Sequence, residues 1–199
     1  VAYEYDVFLS YTRTGTGRWV REHLYPALTH SLENAMPRQP RVFVDWQQES
    51  GTVWPENLAN ALQTSRVMVP VFSPPYFRSA WCRTELATIA HRERLLELGT
   101  RRHPQGLTHP VIFADGKHFP PEAQRLQGVS LIKWGVDMTY EGYSKSPAYV
   151  GFLKAVRAFA ITLADRIERV PAWQPDWPVV EAEPLPEVRA ELPRLWGTS

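Results

Sequence analysis

The run Arg66-Val67-Met68-Val69-Pro70-Val71-Phe72-Ser73 constrains the fold more than any other stretch of this 199-residue chain. Between its polar ends every residue is apolar, with no alternation. A strand with one wet face alternates, whereas a strand covered by helices on both faces does not. The run therefore predicts an interior strand of a parallel sheet. Parallel neighbours cannot be joined by tight turns, so such a sheet requires crossover segments, usually helices. Pro70 opposes this reading, because proline brings no N–H to a ladder. A bulge or one lost ladder bond is needed to seat it.

The surrounding sequence has the alternation that such a sheet demands. Further strands are expected at Tyr5–Ser10 and at residues 41–45, 110–114 and 129–134. Residues 18–34 read as a helix, with Trp19, Val20, Leu24, Ala27, Leu28 and Leu32 recurring at three- and four-residue steps. Pro55 suits the first turn of a short helix ending near Thr64. Residues 74–78 read as a turn, residues 80–98 as a longer helix and residues 101–107 as a loop. Residues 146–169 form a helix with Val150, Leu153, Val156, Ala160, Leu163 and Ile167 on one stripe. The expected fold class is α/β, a flavodoxin-like three-layer domain. It has a five-stranded parallel sheet of order 2-1-3-4-5 and helices on both faces. Ligands of such sheets bind outside the carboxyl ends of the strands. The loops at residues 11–17, 46–54 and 73–79 thus become the candidate site.

Charge and cysteine content narrow the function classes. The formal net charge is +1, which disfavours direct nucleic-acid binding through a basic surface; the cluster Arg101-Arg102-His103 reads as a solvated loop. Cys82 is the sole cysteine, so no disulfide can close within the chain. The six histidines show no metal-ligand spacing, and no metal is expected. No apolar run reaches membrane-spanning length and no signal peptide is visible, which makes the cytoplasm the expected location. Val1 stands where a complete chain would start with Met, as in a piece of a longer protein. Beyond Val170 six prolines interrupt any regular element, while Trp173, Trp177 and Trp196 lie among them. Residues 1–169 are expected as one domain and residues 170–199 as an arm on the domain or a partner, or as a linker.

Within the candidate site the informative residue is Glu85, near the start of the helix that follows the apolar strand. On a helical wheel Cys82, Leu86, Ile89 and Leu96 define the apolar stripe, and Glu85 falls on its flank. A carboxylate there either complements the helix dipole or faces the crevice as a catalyst. Ser79 reads as the helix N-cap, and Trp81 and Cys82 as packing of the helix start. The run Thr14-Gly15-Thr16-Gly17-Arg18 lacks the third glycine of a dinucleotide fingerprint and the Gly-Lys-Ser/Thr of a P-loop. Dehydrogenase and NTPase readings are therefore disfavoured.

The motifs taken in order resemble those of Toll/interleukin-1 receptor (TIR) domains. Tyr5-Asp6-Val7-Phe8-Leu9-Ser10-Tyr11 is similar to their first box. Val42-Phe43-Val44-Asp45, a loop containing Gly51, then Leu58, Ala61-Leu62 and Ser65 resemble the second strand, BB loop and following helix. Ser73-Pro74-Pro75-Tyr76, Ser79 and Trp81-Cys82-Arg83-Thr84-Glu85-Leu86 resemble the third strand and helix start. The resemblance spans about residues 3–168 and is nearest to bacterial and plant TIR domains that cleave NAD. It implies an NAD+ nucleosidase with NAD as substrate rather than cofactor, and Glu85 as catalytic residue. It further implies substrate contacts from Ser10, Tyr11, Arg13, Trp46, Gly51 and Trp81. Arg13 is either a pyrophosphate contact or a surface charge; Trp46 and Trp54 either stack on the ligand or anchor the loop. Other TIR domains are the implied partners, through homo-oligomerisation by the BB loop, with a fused or separate sensor domain. The BB loop lacks the basic residue often found before its glycine. Two other readings stand beside the enzyme: a non-enzymatic TIR interaction module, and a nucleotide-signal-binding module.

Overall fold

Ser10 of the first strand lies directly opposite Pro70 of the third, and this pairing organises the sheet. The computed structural model describes residues 2–46, 56–175 and 177–180. Its strands are β1 (Tyr5–Ser10), β2 (Val42–Val44), β3 (Ser65–Phe72), β4 (Val111–Ile112) and β5 (Val129–Ser130). They form one parallel sheet in the order β2-β1-β3-β4-β5, as the alternation of strands and helices implied. The helices are α1 (Arg13–Trp19), α2 (Tyr25–Glu33), α3 (Glu56–Gln63), α4 (Pro74–Arg78), α5 (Ala80–Leu95), α6 (Pro121–Gln124), α7 (Tyr140–Ser144) and α8 (Pro147–Glu168). A π-helical turn, Val20–Leu24, joins α1 to α2.

The period of two along each strand sorts its side chains onto two cores. Val7, Leu9, Val67, Val69 and Val71 join α2 and α8 residues on one face of the sheet. Phe8, Met68 and Phe72 join α3, α4 and α5 residues on the other. The strand β3 is therefore covered on both sides, which is why it is apolar throughout.

Pro70 is accommodated by a lost ladder bond rather than a bulge. Met68 points its N–H and C=O at the β4 side, donating to Leu107 O at 2.8 Å and accepting from His109 N at 2.9 Å. Two residues on, Pro70 presents its missing N–H to the same side. There the pairing is split into an isolated bridge at Met68–Thr108 and the two-residue register of Val71 and Phe72 with β4.

Several expected boundaries differ. Residues 74–78 are a short helix because Ser73 accepts from Tyr76 N and two prolines occupy the first turn. The loop after β1 is a kinked helical turn, with Gly15 at φ 80, where a Cβ would be strained. The fifth strand stops at Ser130, since Trp134 N folds back onto Leu131 O at 2.9 Å and closes a 3-10 turn. In α8 the core-facing residues are Phe152, Val156, Ala160, Leu163, Ala164 and Ile167, while Val150 and Leu153 point outward. This helix is also long and apolar enough to cross a membrane by length and composition, contrary to expectation. Here its buried face completes the core over α2.

Beyond α8 the described part of the arm packs on the domain. Tyr3 Oη donates to Pro171 O at 2.9 Å, Trp173 Nε1 to Gln63 O at 3.3 Å, and Gln63 Nε2 to Trp177 O at 2.6 Å. Trp177 is buried. Trp196 lies outside the described residues.

Candidate functional site

The site is built where β1 and β3 end against α5. Ser79 sets the start of α5, its hydroxyl accepting from Cys82 N at 3.3 Å. The next turn carries Glu85 onto the face of the helix that meets the sheet, and Glu85 is 1% exposed. It is not on the flank of an apolar stripe. The buried residues of α5 are Cys82, Glu85, Thr88, Ile89 and Arg92, with Leu86 and Leu96 only half-buried.

Ser10 comes from the last position of β1, on the same side of the sheet as Phe8. Its Oγ donates to Glu85 Oε2 at 2.5 Å and lies 2.9 Å from Tyr76 Oη. Tyr76 Oη also reaches Cys82 O at 3.2 Å. Either hydroxyl can be the donor between Ser10 and Tyr76, and the single Tyr76 proton is also within reach of Cys82 O. Glu85 Oε1 has no hydrogen-bond partner among the described residues. Burial pushes the Glu85 carboxyl up to about 8; the Ser10 hydrogen bond pulls it down and the Asp45 carboxylate adds to the rise. Near neutral pH this carboxyl sits close to its own titration point, the condition that suits a catalytic group. Burial likewise pushes the Cys82 thiol well above its ordinary range, which removes thiolate chemistry from the site.

Of the remaining expected residues, Tyr11, Arg13 and Trp46 lie together at the ends of β1 and β2. Tyr11 is buried beside Ser10 and its hydroxyl donates to Asp45 O at 3.0 Å, tying the end of β1 to the end of β2. Trp46 follows, half-open to solvent, its ring 6.1 Å from that of Tyr11 and 5.2 Å edge-on to Tyr25. Arg13 is exposed and its Nη2 donates to Trp46 O at 2.8 Å. Trp81 is half-buried and packs against the α3–α5 side of the core. Gly51 and Trp54, with the loop that contains them, lie outside the described residues. Tyr76 was missed as a site residue. Its signal in the sequence was its place in the turn that delivers α5, but its bond to Ser10 spans 66 positions and has no local signature.

Among the described residues no cluster of His, Cys, Asp and Glu can hold a metal ion. A cavity of about 260 Å³ between Leu98, Arg102, Gly106 and Arg169 lies where α5 and α8 end, at the opposite end of the strands from Glu85. It is not the crevice.

Residues 4–99 match the family model described as TIR domain. Disease resistance protein RUN1 of Vitis rotundifolia is 37% identical over 125 residues, covering 62% of this chain and 8% of that protein. TMV resistance protein N of Nicotiana glutinosa is 32% identical over 87 residues, covering 44% and 7%. The chain thus spans less than a tenth of the length of these curated relatives. Among solved structures, the TIR domain of the Toll-related receptor TRR-2 from Hydra magnipapillata aligns with a TM-score of 0.44 and 18% identity, covering 77% of this chain and 98% of that one. The TIR domains of the activated Roq1 resistosome align with a TM-score of 0.42 and 23% identity, covering 81% and 84%.

Proposed function

Because this chain carries a TIR domain, we propose that it is an NAD glycohydrolase that cleaves the nicotinamide–ribose bond, with Glu85 as its catalytic residue. One observation carries the reading. A fully buried carboxyl stands at the carboxyl ends of the strands, held through one oxygen by Ser10 with the other unpartnered among the described residues. A structural carboxyl in such a place would be expected to have both oxygens satisfied.

The chemistry asks little else of the protein. The N-glycosidic bond breaks with its electron pair passing to the pyridinium nitrogen, so nicotinamide leaves neutral and needs no general acid. The ribose C1′ is left as an oxocarbenium ion, whose charge a nearby carboxylate stabilises. Water then adds to C1′ and loses a proton, giving ADP-ribose; an internal nucleophile of the same molecule gives a cyclic variant. The cationic nicotinamide riboside also favours the ionised form of Glu85, lowering its pKa as substrate enters. Ser10 holds Glu85 in place, Tyr11 and Trp46 offer ring faces, and Arg13 offers a charge for the pyrophosphate. Gly51 and Trp81 keep the roles implied by the family resemblance.

The biological setting follows from the same reading. An immune role accords with the disease resistance relatives, and the chain acts as a cytoplasmic, antiphage-type bacterial effector switched on by homo-oligomerisation through the BB loop. A sensor domain, fused or separate, supplies the trigger. A second reading, a TIR module that recruits other TIR domains without catalysis, is favoured by the 1% exposure of Glu85. Incubation with NAD separates the two: the enzyme releases nicotinamide when concentrated or artificially oligomerised, and the recruiting module does not.

A further inference from the structure

The buried face of α5 is polar for most of its length, and the sheet alone does not cover it. Thr88 and Arg92 stand on the same buried side of the helix as Glu85, about 4.5 and about 10.5 Å from it along the axis. The arm beyond α8 covers Thr88 and Arg92. Thr88 Oγ1 donates to Val180 O at 3.2 Å and accepts from Val180 N at 3.1 Å, so one side chain pairs both backbone groups of an arm residue. The Trp177 ring lies 4.3 Å from the Arg92 guanidinium carbon. Arg92 is 1% exposed and has no carboxylate partner among the described ion pairs. Its Nη1 donates to Ser65 O at 2.8 Å and its Nη2 to Leu62 O at 2.6 Å. The described part of the arm thus climbs α5 from Arg92 to Thr88, one turn from Glu85.

We propose that residues 171–175 and 177–180 are a strap that fixes the register of α5 against β3, and through it the position of Glu85. The proposal rests on the catalytic reading of Glu85 for its kinetic consequence, but not for its structural one. The tryptophan face is what lets an uncompensated guanidinium stay inside. Burial already lowers the Arg92 pKa to about 10, and a desolvated cation over an aromatic face gains most where water is excluded. With that face removed, water reaches the guanidinium and competes for it with the carbonyls of Leu62 and Ser65. These carbonyls belong to the end of α3 and the start of β3, so their bonds to Arg92 pin α5 to the strand beside Ser10. Trp177 and Thr88 are positioning residues; neither touches the reacting atoms.

The test uses the full chain with Trp177→Ala, Trp177→Phe and Thr88→Val, and Arg38→Ala as a variant weakened far from α5. Cys82 reports on the Glu85 face without any turnover: it is the sole cysteine, buried, with its Sγ 3.6 Å from Tyr11 O. Under conditions where circular dichroism shows folded protein, Trp177→Ala and Thr88→Val are expected to raise the rate of Cys82 alkylation at least about 5-fold over wild type. Trp177→Phe, which keeps an aromatic face, stays within about 2-fold. Arg38→Ala, with comparable loss of stability, stays near wild type. In nicotinamide release, Trp177→Ala lowers kcat about 10-fold with KM changed less than about 2-fold, as for a group that acts on the transition state through another. Unchanged alkylation and kinetics in both Trp177→Ala and Thr88→Val overturn the strap. So does an equal rise in Arg38→Ala, which makes the effect one of stability alone. If wild type releases no nicotinamide while alkylation still rises only in the arm variants, the strap stands and the enzyme reading falls. Should Trp177→Ala not fold, Thr88→Val carries the same comparison.

Discussion

At the scale of single residues the chain turns on how Glu85 is held. The folded chain keeps its proton to about pH 8, whereas the unfolded chain releases it near the ordinary 4.5. Between these values the folded state binds more protons, so this group makes stability fall as pH rises through that window and level off above it. Urea denaturation of wild type and Glu85→Gln across pH 5 to 8.5 should show it. Wild type is expected to lose at least about 1 kcal/mol that the variant does not; parallel curves would contradict a raised carboxyl. The place of Glu85 was legible, because a helix start after an apolar strand is where a crevice must lie, but position alone left it between a helix-dipole charge and a catalyst. Its surroundings were less so. Ser10 and Glu85 are 75 positions apart, and only the family resemblance gave both a role. The wheel took Leu86 and Leu96 for the buried face because periodicity counts only apolar residues. Thr88 and Arg92 are buried instead, under an arm whose docking no local pattern announces.

At the scale of elements, β1 is anchored at its beginning, the end of the strand opposite Ser10. Asp6 is 1% exposed and receives both Arg38 Nη1 and Nη2, at 2.7 and 2.6 Å, and the Arg41 N–H at 2.9 Å. Arg66 Nε stands 3.4 Å away. These contacts bind β1 to the approach to β2 and to β3. Asp6→Ala is expected to cost about 3 kcal/mol, since it strands cations and a donor that a buried carboxylate had satisfied. Lys145→Ala breaks an exposed pair with Glu141 and should cost less than about 1 kcal/mol. Equal losses in urea denaturation would show that Asp6 is not an anchor. The elements were largely legible from periodicity, and the failures have local causes. Pro70 removes a donor where β3 meets β4, so β4 is two residues long and not the five expected. Capping by Ser73 makes a helix of an expected turn.

At the scale of the whole molecule, the parallel sheet and its two helical layers bring β1, β2 and α5 together at one end. The strand order 2-1-3-4-5 was legible as the simplest, flavodoxin-like order for five strands alternating with helices. The C-terminal arm was legible only as an oddity of composition, three tryptophans among prolines. Contacts with Tyr3, Gln63 and Arg92 make its first part an extension of the core. Because Glu85 is enclosed in the single chain, the proposed assembly has a kinetic consequence. Nicotinamide released per mole of protein should rise several-fold as the protein is concentrated about 100-fold, and dilution should reverse it; a constant specific activity would contradict activation by association. The central claim is that Glu85 breaks the nicotinamide–ribose bond. Nicotinamide release from NAD, followed for the concentrated wild type and for Glu85→Ala folded to the same degree, tests it most directly. The account predicts release by wild type and a loss of at least about 100-fold in the variant, while equal rates in the two would contradict it.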